Sequence, residues 1–546
     1  MSHTNSFLDR LRGLSRRELF QRGSLLGLSG LAPWRRLPAA AAPAGGLQLG
    51  PNIYESIGVR PLINCRGTLT IIGGSIELPE VRAAKDQANQ QHVQMDELME
   101  AVGKRLAELT RAEWGMVSAG CAAALSHATA ACVAGGNPDL HVRLPNLAGF
   151  PKDEVIIPTH SRNVYDAAIR AVGVKVIEVE SREQLEAAIG PRTAMIYIFA
   201  GQRSETGPPS FDDVTRIARE RGVPVLVDAA AEILTIPCVY LERGATLVGY
   251  SGGKVIRGPQ SAGLLLGRKD LVQAAWIHSA PHHGYARAMK IGREEIIGML
   301  MAVESWAKRD HEAEWKQWIT RLNHIAQRVS RIEGVSTSVR EPTGRSNRSP
   351  SLSIRWEAQK LGITGQEVSN ILYNTEPRIA LGGGGGGGGG RRGQALAEGE
   401  TSISITAYMM APGDEKIVAD RIVQVLSAKH QPKPVEPPKP PAANLAGRWD
   451  VKVEFTASKT THALHLTQNG NRLEGTHQGD FVGRELSGAI NGDTVAFSSV
   501  QTERFGDSLS FRFTGKVEGE TMSGELDMGE YLTAKWTATR HQYRRG

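Results

Sequence analysis

The sequence is poor in cysteine, has no long apolar run and carries little surplus charge, and each of these absences excludes a class of protein. The 546 residues include four cysteines, which are scattered and form no Cys-x-x-Cys pair. Neither a disulfide framework nor a cysteine zinc site is therefore predicted. No uninterrupted apolar run approaches the ~20 residues that span a bilayer, so a polytopic membrane protein is excluded. Hydrophobic residues still make up 40% of the chain, which is enough for sizeable cores.

The small positive net charge is concentrated at the start of the chain. The 64 Lys and Arg residues exceed the 57 Asp and Glu residues by seven. Residues 1–36 carry seven Arg against Asp9 and Glu18, so five of the seven surplus charges lie there. A nearly neutral body offers no electrostatic footprint for a phosphate backbone, and we do not expect nucleic acid as an obligatory partner.

Residues 1–46 have the features of an export leader. Residues 15–20 read Ser-Arg-Arg-Glu-Leu-Phe, a twin-arginine pattern, and an apolar stretch (25–33) and a run of small residues (39–44) follow it. The apolar stretch is too short for a membrane anchor, whereas the arginine pair is an address that a receptor reads. We expect twin-arginine export to the periplasm or the exterior, with cleavage near residues 42–44. A disordered basic tail is the alternative.

Residues 47–430 alternate short apolar runs with helical patterns, which predicts an α/β fold. Strands are predicted at residues 154–157, 175–179, 194–199 and 224–228. Because these strands are apolar throughout, they indicate a mostly parallel sheet that helices cover on both faces.

A run of nine glycines, Gly382–Gly390, precedes Arg391 and Arg392. Glycine alone cannot bury a core, and this composition favours a low-complexity insertion in a surface loop. A flexible loop that binds an anion is the alternative.

Residues 431–442 are rich in proline and lysine, which predicts an extended spacer and a domain boundary. Beyond it, residues 443–546 alternate apolar and polar residues, with turns such as Asn469-Gly470 and Asn491-Gly492. About eight strands can be counted, the number that closes a small antiparallel barrel. The segment resembles the small lipocalin-like domains of exported proteins. A barrel that holds an apolar ligand and a packed interaction module are equal alternatives.

The strongest chemical signal is residues 250–263, which read Tyr-Ser-Gly-Gly-Lys-Val-Ile-Arg-Gly-Pro-Gln-Ser-Ala-Gly. One lysine, Lys254, lies there among glycine, serine and turn residues, which would let a flat aldehyde cofactor approach the backbone. A sheltered lysine can lose its proton and become a nucleophile. The segment therefore predicts a lysine that forms a Schiff base.

Two further motifs precede this lysine. Asp228 ends an apolar strand 26 residues before Lys254, and an acid at a strand end can keep a pyridine nitrogen protonated. Gly120, Cys121 and Ala122 open a helical pattern, and the unpaired N–H groups of a helix N-terminus suit a phosphate. Each motif alone is more often structural, but the three together favour a pyridoxal phosphate site.

At these residues the sequence resembles the pyridoxal-phosphate enzymes of the aspartate-aminotransferase fold (fold type I), in particular the group with bacterial selenocysteine synthase and D-glucosaminate-6-phosphate ammonia-lyase. The resemblance covers about residues 50–428. The segments 225–232, 251–259 and 287–292 look closer to the ammonia-lyase branch. The resemblance implies a large domain with a mostly parallel sheet, a small α+β domain that includes about residues 310–430, and a homodimer or higher oligomer.

The resemblance also implies a role for each matching residue. Lys254 would hold the cofactor covalently, Asp228 would pair with its pyridine nitrogen, and residues 120–122 with the hydroxyl of Ser251 would bind its phosphate. Further contacts are implied near the cofactor or substrate, at His160, Arg162, Gln260, Arg287 and Lys290. An ordinary basic helix start is the alternative for Arg287 and Lys290.

The resemblance implies a lyase that eliminates or deaminates an amino acid or amino sugar acid. The same chemistry allows an aminotransferase or racemase, and the other branch implies selenium transfer to seryl-tRNA. A binding protein that acts through its C-terminal barrel is the non-enzymatic alternative. Three further histidines, His278, His282 and His283, lack a carboxylate at helical spacing, so we interpret them as loop residues and predict no metal site.

Overall fold

The computed structural model describes residues 46–382, 396–397, 399–430, 437–502 and 508–542. These residues belong to two compact units, one within residues 45–432 and one within residues 433–546. The expected leader up to residue 45, the glycine run after Gly382 and the spacer up to residue 436 lie outside the described residues.

The described residues of the first unit form twelve strands in chain order. They are β1 (Ile63–Cys65), β2 (Trp114–Ser118), β3 (Glu154–Pro158), β4 (Lys175–Val179), β5 (Thr193–Phe199), β6 (Val225–Asp228), β7 (Leu247–Ser251), β8 (Gly263–Gly267), β9 (Val335–Arg340), β10 (Ser351–Glu357), β11 (Ile379–Leu381) and β12 (Glu400–Thr406).

The helices of the same unit are mostly short. They are α1 (Pro79–Ala88), α2 (Met95–Thr110), α3 (Cys121–Ala134), α4 (Pro138–His141), α5 (Ala167–Arg170), α6 (Arg182–Ala188), α7 (Gln202–Thr206), α8 (Phe211–Glu220), α9 (Val239–Glu242), α10 (Lys269–His278), α11 (Arg293–Lys308), α12 (His311–Val329), α13 (Ala358–Leu361), α14 (Gly365–Asn374) and α15 (Asp414–Leu426).

A seven-stranded sheet in the order β2-β8-β7-β6-β5-β3-β4 forms the centre of the large domain. Only β8 runs antiparallel to its neighbours, and the remaining pairs are parallel. All four residues of β6 are buried, as are six of the seven in β5. The prediction of a mostly parallel sheet covered on both faces is therefore confirmed.

A second core belongs to a smaller α+β domain. Its antiparallel sheet has the order β12-β10-β9, and apolar side chains of α12, α14 and α15 pack on it. β1 joins this core from the start of the chain because it pairs in parallel with β11, Cys65 opposite Leu381. The segment that follows β1 therefore begins at the small domain and leads to the large one.

The second unit is a closed antiparallel barrel, as predicted. Its eight strands are β13 (Gly447–Glu454), β14 (Lys459–Asn469), β15 (Arg472–Gln478), β16 (Gly483–Asn491), β17 (Thr494–Thr502), β18 (Ser508–Glu518), β19 (Thr521–Asp527) and β20 (Thr533–Arg540). The inner face of β13 consists of Trp449, Val451 and Val453, which are fully buried.

Three general features concern the whole described chain. All four cysteines are buried and unpaired. No helix within the described ranges is both long and apolar enough to cross a membrane. Within the same ranges, no group of three or more His, Cys, Asp or Glu side chains is arranged to hold a metal ion.

Candidate active site

Asp228 lies at the carboxyl end of β6, where the sequence analysis placed it, and is 2% exposed. One carboxylate oxygen accepts a hydrogen bond from the Tyr197 hydroxyl at 3.0 Å. The other accepts from the Ala230 N–H at 3.1 Å and faces the Cys121 thiol at 3.7 Å. Burial raises the pKa of Asp228, and these three donors oppose the rise. Asp228 is thus a buried acid that can pair with a cationic group.

Lys254 lies in the turn after β7 and is half-buried. Its Nζ donates a hydrogen bond to the carbonyl oxygen of Thr68 at 2.9 Å. Burial lowers the pKa of Lys254, while the charges of Cys121 and Asp228 raise it. The lowered pKa favours the neutral, nucleophilic amine. The structure therefore brings Lys254, Asp228 and Cys121 into one electrostatic neighbourhood.

A loop from the small domain holds the carbonyl that Lys254 contacts. The Tyr408 hydroxyl bonds the Thr68 N–H at 2.9 Å, and the Asn64 side chain closes the preceding turn by accepting from the Gly67 N–H at 3.0 Å. A Cβ on Gly67 would lie 2.7 Å from the Tyr408 hydroxyl, so only glycine fits there. The sequence analysis missed Thr68 and Tyr408.

The N-terminus of α3 is open where a phosphate is expected. Gly120 precedes the helix with φ +87° and provides no side-chain cap. Every other residue of α3 is buried, but Ala122 in its first turn is exposed. The first N–H groups of a helix have no partner within the helix and attract anions. The backbone of residues 120–122 thus forms a candidate anion cradle.

Gly263 on β8 allows the cradle to pack against the sheet. A Cβ there would lie 2.3 Å from the Gly120 carbonyl carbon and 2.6 Å from the Cys121 nitrogen. We expect Gly263→Ala to destabilise the fold by about 1–3 kcal/mol, as overpacking does, and to weaken anion binding at the cradle. Thermal melts and phosphate titrations measure both effects. Gly190→Ala is the matched control, because no atom lies within 4 Å of its added Cβ. Equal melting temperatures for the two variants would contradict the expectation.

Ser251 and Gln260 also lie beside the lysine. Ser251 ends β7, is half-buried and pairs with Gly263. Gln260 is exposed, but its side chain crosses the backbone next to Lys254, since a Cβ on Gly253 would lie 1.9 Å from its Oε1. Both residues therefore lie near Lys254.

His160 and Arg162 follow β3 and make different contacts. The half-buried His160 ring bonds the Pro209 carbonyl oxygen at 3.0 Å, and burial lowers its pKa. Arg162 is buried and forms ion pairs with Asp166 and Glu178, each at 2.6 Å. Asn163, which the sequence analysis did not select, is the neighbour that connects to Tyr197 and so to Asp228.

The predicted substrate-binding residues Arg287 and Lys290 are exposed in the segment between α10 and α11. Neither forms an ion pair with another described residue, so both charges are available to an anion. His282 and His283 lie in the turns that precede this segment. The interpretation of His278 as a loop residue is wrong: it ends α10, is fully buried and contacts the His141 ring nitrogen at 2.8 Å.

The chain is similar to several known proteins. Residues 159–284 match the family model described as Aminotransferase class-V. D-glucosaminate-6-phosphate ammonia lyase of Salmonella typhimurium is 32% identical over 328 residues, which cover 58% of this chain and 86% of that protein. 5'-C-glycyluridine monooxygenase-decarboxylase of a Streptomyces species is 33% identical over 305 residues, covering 54% and 75%.

A more distant relative is L-seryl-tRNA(Sec) selenium transferase of Moorella thermoacetica, 27% identical over 294 residues that cover 47% of this chain and 59% of that protein. Among solved structures, that of D-glucosaminate-6-phosphate ammonia-lyase matches with a TM-score of 0.60 and 29% identity. The match covers 70% of this chain and 100% of the other.

Proposed function

Because the chain belongs to the family of pyridoxal-phosphate enzymes that includes D-glucosaminate-6-phosphate ammonia lyase, we propose that it is an exported lyase that deaminates an amino acid or amino sugar acid by elimination. The observation that carries the proposal is that Asp228 and Lys254 lie close enough to interact electrostatically, in a chain whose match covers 86% of the length of the ammonia lyase. The enzyme class, a pyridoxal-phosphate lyase or transferase, follows from the family itself.

The residues present fit the cofactor. Its phosphate requires N–H donors, which the uncapped start of α3 offers beside the exposed Ala122. Its aldehyde requires an amine, and burial lowers the pKa of the Lys254 amine. Its ring nitrogen requires a buried acceptor, and Asp228 is 2% exposed. The groups that meet these three requirements all belong to motifs found in the sequence.

Bound pyridoxal phosphate supplies an electron sink for the negative charge that develops at the substrate Cα. Asp228 would hold the proton of the ring nitrogen and so keep that sink effective. Lys254 would hold the cofactor until the substrate amine displaces it, and the lysine amine released in that exchange would remove the Cα proton, a role that its lowered pKa suits. Arg287 and Lys290 bind a carboxylate or phosphate of the substrate.

Elimination is favoured over the rival reactions by the ammonia lyase match, which is longer and more identical than the selenium transferase match. Selenium transfer also requires a tRNA surface, and the chain beyond residue 36 is nearly neutral. Transamination or racemisation begins with the same proton removal and differs in the later steps.

Product analysis distinguishes these reactions. The full chain with pyridoxal phosphate is incubated with D-glucosaminate 6-phosphate and with unphosphorylated amino acids, without an amino acceptor. Elimination gives ammonia and a keto acid in equal amounts. Arg287→Gln is expected to raise KM for the phosphorylated substrate. Inverted substrate without ammonia would instead establish a racemase, and a requirement for a keto acid acceptor would establish an aminotransferase.

We also propose export, which the twin-arginine pattern in residues 1–46 supports. Fractionation of cells of the source organism should then place the enzyme outside the inner membrane. Replacing Arg16 and Arg17 by Lys should retain it in the cytoplasm. An unchanged distribution in that variant would contradict the proposal.

A homodimer completed near the active site is a further part of the proposal. The loop that follows Thr68 contacts the lysine turn through the Ser75 N–H and the Gly253 carbonyl at 3.2 Å. The same loop exposes Ile71 at 84% and Ile76 at 65%. Exposed apolar side chains beside a catalytic turn favour a subunit contact. A dimer by light scattering, which Ile71→Asp converts to monomer, is the expected result.

The barrel provides a second candidate function, the binding of a small apolar acid. A cavity of about 360 Å³ at one end of the barrel is lined by Phe455, Leu509, Phe511, Met528 and Tyr531. The Arg484 guanidinium lies 4.7 Å from the centre of the Phe511 ring, and His462 is packed between Phe455 and Phe511. An apolar lining beside one guanidinium suits an apolar body with one carboxylate.

Decanoate and decanol are suitable probes of the barrel. Calorimetry of the full chain should show decanoate binding that Tyr531→Asp abolishes and Arg484→Gln weakens. The affinity for decanol should be the same with and without Arg484→Gln. Thr494→Asp is the matched control, because Thr494 is exposed at the start of β17, pairs with Lys516 and does not line the cavity. Equal affinity of both probes in every variant would exclude this function.

We expect a chain that ends at Lys429 to keep its cofactor spectrum. The reason is that the large domain and the barrel each have a hydrophobic core of their own, so each is expected to fold by itself. Absorbance titration with pyridoxal phosphate checks this expectation, and residues 437–546 expressed alone should melt cooperatively. Loss of cofactor binding in the shortened chain would show that the barrel helps to form the site.

A further inference from the structure

We propose that Tyr197 and Asn163 form a hydrogen-bond relay that positions the Asp228 carboxylate before the cofactor binds. The inference deepens the proposed function and rests on it. Neither residue contacts the cofactor in this proposal; both are positioning residues that act through Asp228.

The relay is a continuous line of buried donors. The Asn163 amide donates to the Tyr197 hydroxyl at 3.0 Å, and that hydroxyl donates to Asp228 Oδ2, also at 3.0 Å. Asn163 is 9% exposed, Tyr197 is fully buried and Asp228 is 2% exposed. Water does not compete for these bonds, so their direction is set by the protein alone.

The orientation of Asn163 is fixed by its other contacts. Its Oδ1 accepts from the Tyr165 N–H at 2.8 Å, and its Nδ2 also donates to the Ser161 carbonyl at 2.9 Å. The amide nitrogen must therefore face Tyr197. Because that nitrogen donates to the hydroxyl oxygen, the hydroxyl proton is left to point at Asp228.

The relay also stabilises the charged form of Asp228. Burial raises the pKa of Asp228, whereas the donors that face it, the Tyr197 hydroxyl, the Ala230 N–H and the Cys121 thiol, lower it. Glu232 and Lys254 are the nearby charged groups. Burial and Asp228 itself raise the pKa of Tyr197 well above its usual value, so the hydroxyl remains a donor throughout the working pH range.

Tyr197→Phe removes the donor and keeps the ring. A carboxylate that loses a hydrogen bond becomes more basic and draws the proton from the cofactor ring. The ¹⁵N resonance of ring-labelled pyridoxal phosphate is therefore expected to move toward the unprotonated pyridine value. The cofactor dissociation constant should rise about tenfold, as the loss of one hydrogen bond to a charged group does.

Tyr250→Phe is the matched control. Tyr250 is also fully buried and lies on β7 of the same sheet. Its hydroxyl contacts the Cys238 thiol at 3.3 Å. Its substitution should leave both readouts unchanged. Asn163→Ala, which frees the hydroxyl proton to turn, should give a smaller ¹⁵N shift in the same direction. Thermal melts of the cofactor-free variants confirm that each is folded.

The outcomes separate the inference from the function on which it rests. If the unmodified chain fails to bind pyridoxal phosphate, both the proposed function and the relay are overturned. If it binds normally but the Tyr197→Phe and Tyr250→Phe variants give the same ¹⁵N shift and affinity, the relay alone is overturned. A shift in Tyr197→Phe and Asn163→Ala, absent from Tyr250→Phe, supports the relay.

Discussion

Replacing Lys254 by alanine is expected to abolish covalent binding of pyridoxal phosphate and to reduce turnover by roughly 10²–10⁴-fold, the usual contribution of a general base. The substitution removes the amine, whose pKa burial lowers, and its hydrogen bond to the Thr68 carbonyl. The fold should survive, since a single intramolecular hydrogen bond contributes about 1 kcal/mol.

Borohydride reduction followed by mass spectrometry measures the covalent step directly. The unmodified chain should gain the mass of one reduced cofactor on the peptide that contains Lys254, and the alanine variant should gain none. Lys308→Ala is the control, because Lys308 is exposed on α11 and pairs only weakly with Glu304 at 3.5 Å. Full labelling of the Lys254→Ala chain would place the cofactor on another lysine.

Replacing Asp228 by asparagine is expected to reduce turnover on the order of 10²–10³-fold, the usual effect of removing one preorganised electrostatic group. The same change should alter how the stability of the cofactor-free protein depends on pH. Burial raises the folded-state pKa of Asp228 above its unfolded value, so the folded chain binds more protons in that window. Stability contributed by this residue therefore falls as pH rises through the window.

Melting temperatures between pH 2 and pH 8 test the sign, because the raised pKa of Asp228 places its effect above about pH 4 and the lowered pKa of Asp213 places its effect below it. The stability of Asp228→Asn relative to the unmodified chain should increase as pH rises. Asp213→Asn is the control with the opposite sign, because its bond to the Ser210 hydroxyl lowers the pKa of Asp213. That variant should lose relative stability as pH rises. A difference in melting temperature that does not change with pH for Asp228→Asn would show that burial does not raise the pKa of Asp228.

Local signals were sufficient to select the main residues of the candidate active site. An acid at the end of an apolar strand, a lysine in a turn of small residues and a glycine before a helix each have a recognisable pattern over a few positions. Asp228, Lys254 and Gly120 lie where such patterns predict, because the strand order brings neighbouring carboxyl ends to one edge of the sheet.

The supporting residues could not be found in this way. Thr68 and Tyr408 meet across 340 positions, and their contact depends on β1 joining the small domain. Tyr197 looks like any core residue of a buried strand, since only the packing of β5 beside β6 gives its hydroxyl a partner. His278 was wrongly predicted to lie in a loop, because the turn residues that follow it in the sequence obscure the end of α10.

The burial of all four cysteines has a consequence for how the protein should respond to oxidising conditions. Burial raises the pKa of the Cys132 thiol to about 12 and moves those of Cys65 and Cys121 upward as well. Oxidants and alkylating reagents attack the thiolate, which these pKa values suppress. The native chain should therefore pass through an oxidising environment without mispaired disulfides, and its thiols should react with iodoacetamide only after the fold has opened.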